Sequence, residues 1–268
     1  MNRLLQVRGL TRRFGGNLAV DHIDFDVHAG ELLALIGPNG AGKSTTFNMI
    51  NGQLPATAGS VQFNGREILG MPAHKVVRLG VGRSFQIAAT FPSLSVLQNV
   101  QMALIASRRR VFSFFSRADG FAREEAIDLL AQVGMESLAH HTCADLAYGD
   151  VKRLELAMSL AGNPKLLLMD EPTAGMGAGE RNALVALVKR IVQERNMGVL
   201  FTEHSMDVVF EHADRIIVLA RGRLIADGSA AEIQNHPQVR EVYFGSTPSL
   251  LVESAQSDGL AQQQEGAQ

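Results

Sequence analysis

The stretch "GPNGAGKST" brings together Gly37, Pro38, Asn39, Gly40, Ala41, Gly42, Lys43, Ser44 and Thr45 in the spacing G-x-x-x-x-G-K-[ST]. An apolar run, "LLALIG" (32–37), precedes it, and a helix-period segment, "KSTTFNMING", overlaps its end. Glycines in such a loop let consecutive backbone N–H groups turn inward around phosphate oxygens. The following helix directs its positive end at the same anion. Lys43 would then reach the β- and γ-phosphates, and Ser44 would offer its hydroxyl to Mg2+. The plain alternative is a glycine-rich strand–helix turn with no ligand, and the flanking strand and helix weigh against it.

A second constellation is "LLLMDEP" (166–172), an apolar run that ends in two carboxylates and a proline. A core strand gains nothing structurally from a terminal Asp-Glu, and both side chains are costly to bury unpaired. Beside a phosphate loop at the C-terminal edge of a parallel sheet, both acquire a purpose. Asp170 would hold Mg2+ through water. Glu171 would point elsewhere, because successive strand residues diverge, and would polarise an attacking water. The N-K-x-D motif that would read guanine is absent. A small-molecule kinase stays open on these two motifs alone.

The elements that must hold these residues follow from the chain around them. With 268 residues, 46% hydrophobic and 19% charged, the composition is that of a folded globular protein with a sizeable core. The net charge of −2 gives no electrostatic footprint for nucleic acid, so no nucleic-acid partner is expected. A single cysteine, Cys143, cannot form an internal disulfide and favours a reducing compartment. The opening "MNRLLQVRGLTRRFGG" lacks an apolar core and a small-residue cleavage site, so it does not read as a secretory leader. No run of about 18 apolar residues reads as a membrane span. The expectation is a cytosolic chain, or one held at a membrane by other subunits.

Short apolar runs alternate with helix-period segments, the pattern of a mostly parallel sheet covered by helices. "LLALIG", "KLLLMD" (165–170), "GVLFTE" (198–203) and "RIIVLA" (215–220) read as strands buried on both faces. "ERNALVALVKRIVQER" places Leu184, Leu187, Val188, Ile191 and Val192 on one helical face, with Gly198 as its expected stop. "SVQFNGREI" (60–68) turns at Asn64-Gly65, and "VLARGRLIADG" (218–228) reads as a second hairpin. Ser95 with Gln98, and Ser229 with Glu232, form capping boxes. Between about 90 and 162 the strands stop, which predicts a helical lobe inserted into an α/β core. Residues 247–268, rich in Gln, Ser, Ala and Gly, carry no apolar periodicity and read as a disordered tail.

With these motifs in place, residues 3–246 resemble the ATP-binding subunit of ABC transporters. The resemblance implies a P-loop, RecA-like core with an antiparallel β subdomain (1–89 and 163–246) and a helical lobe (about 90–162), together one ATPase domain over 1–246. It implies ATP and Mg2+ as ligands. Phe14 would stack on adenine. Gln86, in "GRSFQ", would occupy the Q-loop position and sense Mg2+ and the γ-phosphate. His204, after "LFTE", would be the switch histidine. "DLAYGDVKRLELA" (145–157) lies where the family carries its signature, usually L-S-G-G-Q, which meets the nucleotide of a second subunit. Here Ala147 replaces the serine and Tyr148 the first glycine, while Gly149 is kept. Loss of one hydrogen bond to a charged group would weaken that contact by roughly 1.5–3 kcal/mol. The "A-Y-G" form, "GVGRSFQ", the insert "SRRRVFSFFSRADGFAREE", "TEHSMDVV" and "NHPQVREVYFG" are similar to the larger ATPase subunit of branched-chain (hydrophobic) amino-acid importers.

The implied partners are a second ATP-binding subunit, two membrane-spanning permease subunits and, indirectly, a solute-binding protein, with the chain at the cytoplasmic face of the inner membrane. In "TAGMGAGE" the family's aspartate is replaced by Gly177. This departure and the altered signature favour a heterodimer over a homodimer. Rival readings are the same engine serving an amide, urea or aromatic acid, a soluble ABC-type ATPase acting on macromolecules, a P-loop kinase and a binding-only subunit. The soluble class usually has two such domains or a long coiled-coil insert, and this sequence has neither. Intact Lys43, Asp170, Glu171 and His204 argue against the last. "HHTC" (140–143) reads as a solvent-facing loop and not a metal site. "SRRRVFSFFSR" (107–117) reads as a surface facing the membrane subunits or the cytosol ahead of a lipid-contacting segment.

Overall fold

The structure, a computed structural model, describes residues 2–84, 90–108 and 122–244. Gln86, most of the 107–117 segment and the 247–268 tail therefore lie outside the described residues. Two sheets organise the rest. The first is antiparallel, in the order β2-β1-β4-β5, from β1 (Arg3–Phe14), β2 (Asn17–His28), β4 (Ala58–Phe63) and β5 (Arg66–Glu67). The second has the order β10-β9-β3-β8-β7-β6. Its members are β3 (Leu32–Ile36), β6 (Val81–Ser84), β7 (Leu166–Asp170), β8 (Gly198–Thr202), β9 (Arg215–Ala220) and β10 (Arg223–Gly228). Only β10, paired with β9 by a tight turn, runs antiparallel.

The central strands are apolar throughout because each of their faces meets a different core. Leu33 and Leu35 of β3, Leu166 and Leu168 of β7, Leu200 of β8 and Ile217 of β9 pack toward the antiparallel sheet. Their neighbours Ala34, Leu167, Val199, Phe201, Ile216 and Val218 pack toward the helices on the other side. A two-residue side-chain period on a sheet sandwiched between layers requires this continuous run.

Helix α1 (Lys43–Ile50) follows β3, and α2 (Ala73–Arg78) precedes β6. α3 (Val96–Ser107), α4 (Arg123–Gln132) and α5 (Tyr148–Leu160) pack together through Val100, Leu104, Leu130 and Leu154, in one continuous core with the sheet's helix-facing side. Ser95 accepts the Gln98 amide and Gln98 returns to the Ser95 amide, so α3 starts where the capping box places it. The same reciprocal bonding at Ser229 and Glu232 opens α8 (Ala230–Asn235). α6 (Ala178–Arg195) joins β7 to β8, α7 (Met206–His212) follows β8, and α9 (Pro237–Phe244) ends the described chain.

One expected boundary needs correction. Asn196, not Gly198, ends α6: it adopts the left-handed conformation at φ 49°, a role its short polar side chain tolerates. Gly198 instead opens β8, where a Cβ would lie 2.8 Å from the His28 carbonyl. β1 and β2, each twelve residues long, had no counterpart in the sequence reading. Their pairing is interrupted by register shifts between Val7 and Arg12, with Gly9 and His22 at positive φ. Bulges of this kind break the strict alternation by which a strand is recognised. Among the described residues, no helix is long and apolar enough to cross a membrane.

Candidate active site

Parallel strands deliver their C-terminal ends to one edge, and β3, β8 and β7 are consecutive neighbours there. Leu35 and Thr202 are register partners, as are Asp170 and Thr202. The loop after β3, the acidic pair after β7 and the segment after β8 thus emerge side by side, in the crevice where open α/β sheets bind ligands.

The loop glycines answer two demands. Gly42 has φ 107°, and a Cβ there would come within 2.5 Å of the Ala19 carbonyl. A Cβ on Gly37 would sit 2.2 Å from the Leu219 carbonyl. The loop is therefore wedged against β2 and β9, which fixes the direction in which its amides point. Gly42 is the N-cap of α1 and contributes no side-chain cap, leaving the helix start to an external acceptor. Lys43 is buried, and its Nζ donates to the Gly37 carbonyl at 2.7 Å and the Pro38 carbonyl at 3.2 Å, spanning the loop. Burial lowers its pKa, opposed by the charges of Glu171 and then Asp170.

Asp170 is buried and accepts the Thr202 hydroxyl on Oδ1 at 2.7 Å. Its Oδ2 lies 3.5 Å from the Arg83 guanidinium. Glu171 departs from the strand by a different device from the alternation expected. It takes a left-handed backbone, φ 49°, which for a non-glycine residue costs about 1–2 kcal/mol. Thr202 holds that turn, since the Glu171 amide donates to its carbonyl at 3.2 Å and its Oγ1 at 3.1 Å. The side chain swings toward His204, whose Nε2 lies 2.9 Å from Glu171 Oε1. Glu203, which is buried, accepts the Thr173 amide at 3.0 Å, the Thr173 hydroxyl at 2.7 Å and the His204 amide at 3.2 Å.

Lys43, Asp170, Glu171 and His204 therefore gather at one edge. Ser44 stands in the first turn of α1. A hydroxyl and a carboxylate are the oxygen donors that Mg2+ takes beside phosphate oxygens, so the donor set fits that ion. Phe14 ends β1 at a hairpin tip, with Arg12 stacked 4.4 Å from its ring centroid. The other strand of that hairpin contains Ala19, the neighbour of Gly42. Ala147, Tyr148 and Gly149 start α5, where Ala147 is an N-cap that makes no side-chain bond. Among the described residues no hydrogen bond joins these three to the phosphate loop. Tyr148 instead donates from its hydroxyl to the Ala174 carbonyl at 2.9 Å, and its ring covers Gly175. Gly177 is the N-cap of α6, and its amide donates to Glu180 Oε2 at 3.2 Å.

Sequence reading passed over Thr202, Glu203 and Arg83. The first two had a visible signal, polar residues closing an apolar run just before His204. Arg83 had none. His140, His141 and Cys143 form no metal-binding group among the described residues.

The fold and site define a P-loop ATPase with a RecA-like core. Residues 20–174 match the ABC transporter family, and residues 223–247 match the family described as branched-chain amino acid ATP-binding cassette transporter. The chain belongs to the ABC transporter ATP-binding family and is an ATP-hydrolysing enzyme. It is 36% identical over 252 residues to BraF of Pseudomonas aeruginosa, covering 90% of this chain and 98% of that one. Identity to LivG of Escherichia coli K12 is 35% over the same coverage. Both relatives are described as high-affinity branched-chain amino acid transport ATP-binding proteins. The crystal structure of MJ1267, an ATP-binding cassette of an ABC transporter, in its ADP conformation superposes with a TM-score of 0.82 at 28% identity, covering 91% of this chain and 100% of that one. A nucleotide-free cassette from an ABC transporter gives 0.79 at 27% identity, covering 90% and 98%.

Proposed function

We propose that this subunit powers import of branched-chain amino acids, with leucine, isoleucine and valine as cargo. The observation that carries the reading is the match of residues 223–247 to the family described as branched-chain amino acid ATP-binding cassette transporter. In this reading Phe14 stacks on adenine, and the backbone of Gly37 to Thr45 cradles the phosphates. Lys43 leaves its two carbonyl partners for the β- and γ-phosphate oxygens. Ser44 and, through water, Asp170 would hold Mg2+, and Gln86 would sense it; the ion, when bound, would neutralise charge on the phosphates. Glu171 orients the attacking water and accepts its proton, and His204 fixes the Glu171 carboxylate while facing the γ-phosphate.

A second ATP-binding subunit closes the site with its own signature, and this chain's Ala147, Tyr148 and Gly149 serve the partner's nucleotide. Ala147 and Gly177 both lack the family's usual side chain, which supports pairing with a different, complementary subunit. The chain sits peripherally at the cytoplasmic face, held by two permease subunits, while a separate binding protein presents the solute. A cleft of about 400 Å³ between α2, α3 and α5, walled by Val77, Ala103, Ala106, Met158 and Pro164, offers the permease an apolar seat.

The test is uptake of radiolabelled solute in the native host carrying Lys43→Ala. Loss of leucine, isoleucine and valine uptake is expected, with Pi release by the purified variant abolished. Loss of amide, urea or aromatic-acid uptake alone would reassign the cargo. Unchanged uptake of all of them would refute the transport reading.

A further inference from the structure

Arg83 lies on the edge strand β6, beside β7, in register with Leu168. Its guanidinium is tied on three sides. Nη1 donates to Asn48 Oδ1 at 2.8 Å, on α1, and to Gln53 Oε1 at 2.5 Å, in the turn after that helix. Nη2 lies 3.5 Å from Asp170 Oδ2, with only 15% of the Arg83 side chain and 6% of the Asp170 side chain exposed. Burial lowers the pKa of Arg83, opposed by the Asp170 charge. Arg83 also lines the cleft, whose walls include Glu155 and Met158.

A buried carboxylate needs a countercharge, and Asp170 has one in Arg83 and, at longer range, in Lys43. A divalent cation at Asp170 meets the same fixed positive charge and is repelled by it. Arginine cannot shed its proton to relieve this, and Asn48 and Gln53 prevent the fork from swinging away. We propose that Arg83 is a positioning residue that pairs with Asp170 and thereby weakens its hold on Mg2+. The inference rests on Asp170 as a Mg2+ ligand.

The test uses thermodynamic linkage and does not depend on turnover. Dissociation constants for a fluorescent ATP analogue are measured on Glu171→Gln protein in EDTA and in saturating Mg2+, and their ratio reports metal coupling. Arg83→Gln is expected to raise that ratio about three- to ten-fold, with EDTA affinity unchanged or weaker. Arg83→Lys keeps the charge and should stay within about twofold of the parent. A merely structural role would weaken binding in both media. An unchanged or lower ratio in folded Arg83→Gln, or an equal rise in Arg83→Lys, would overturn the proposal. Arg83→Met supplies the same comparison with an apolar side chain suited to the cleft wall if Arg83→Gln does not fold. Asp170→Asn separates the two levels: if it leaves the ratio unchanged, Asp170 is not the ligand, whereas if it collapses the ratio and Arg83→Gln does not raise it, only the Arg83 role fails.

Discussion

Glu171 and Tyr148 show how single residues were assigned by environment. Glu171 is bent out of β7 at some energetic cost and lands 2.9 Å from His204, so the fold itself sets the direction of its carboxylate. Glu171→Gln keeps the shape and removes the base of the proposed mechanism; Pi release should fall by about 10²–10⁴-fold while nucleotide affinity stays near the parent's, measured by phosphate release and fluorescence titration. Tyr148 stands where the family places a glycine, and its hydroxyl secures the start of α5 to the Ala174 carbonyl. Since Tyr148 is 51% exposed, Tyr148→Phe should cost only about 0.5 kcal/mol. Tyr148→Gly, which also uncovers Gly175 and places glycine in the first helical turn, should cost at least about 1 kcal/mol more. Urea denaturation of the pair would separate hydroxyl from ring.

At the scale of elements, ends decide more than interiors. The α3 capping box satisfies amides at both Ser95 and Gln98, so Ser95→Ala should lower stability by about 1 kcal/mol, read by chemical denaturation. The C-terminal helix α9 places Tyr243 in partly buried surroundings near Gly37 of the phosphate loop, with its hydroxyl making no regular hydrogen bond. Burial raises the Tyr243 pKa to about 12, against 10.0 for the ordinary phenol. The folded state therefore keeps its proton where the unfolded chain has lost it. Stability from this group is complete below about pH 10 and disappears as pH rises from about 10 to 12. Tyr243→Phe should flatten that decline, checked by denaturation midpoints of both proteins at pH 9.5 and 11.

At the scale of the whole molecule, the phosphate loop, the acidic pair and the histidine lie on the core, whereas the α5 start lies on the helical side. Within one chain the α5 start is bonded to the Ala174 segment and not to the phosphate loop. In the proposed reading a second subunit completes the site. Light scattering of Glu171→Gln protein, with and without Mg-ATP, addresses its identity. The expected outcome is nucleotide binding without a change in mass until a sister ATPase is added. A doubling of mass with ATP alone would mean that Ala147, Tyr148 and Gly177 are compatible with self-pairing.

The sequence by itself determined the phosphate loop, the acidic pair, the buried strands and the capped helix starts, because each depends on a few adjacent residues and their local backbone preferences. Gly37 to Thr45, Asp170 with Glu171, and Ser95 with Gln98 were legible for that reason. What only the tertiary structure decided is what meets across the sheet. β1 and β2 escaped notice because bulges interrupt their alternation, and the end of α6 was misplaced because Asn196 competes with a nearby glycine for the left-handed position. Thr202 grips both Asp170 and Glu171 only because β7 and β8 are adjacent in this register. Arg83 reaches Asp170, 87 positions away, only because β6 is the edge strand beside β7. Such pairings depend on strand order and register, which arise from packing over the whole chain and leave no mark in local spacing.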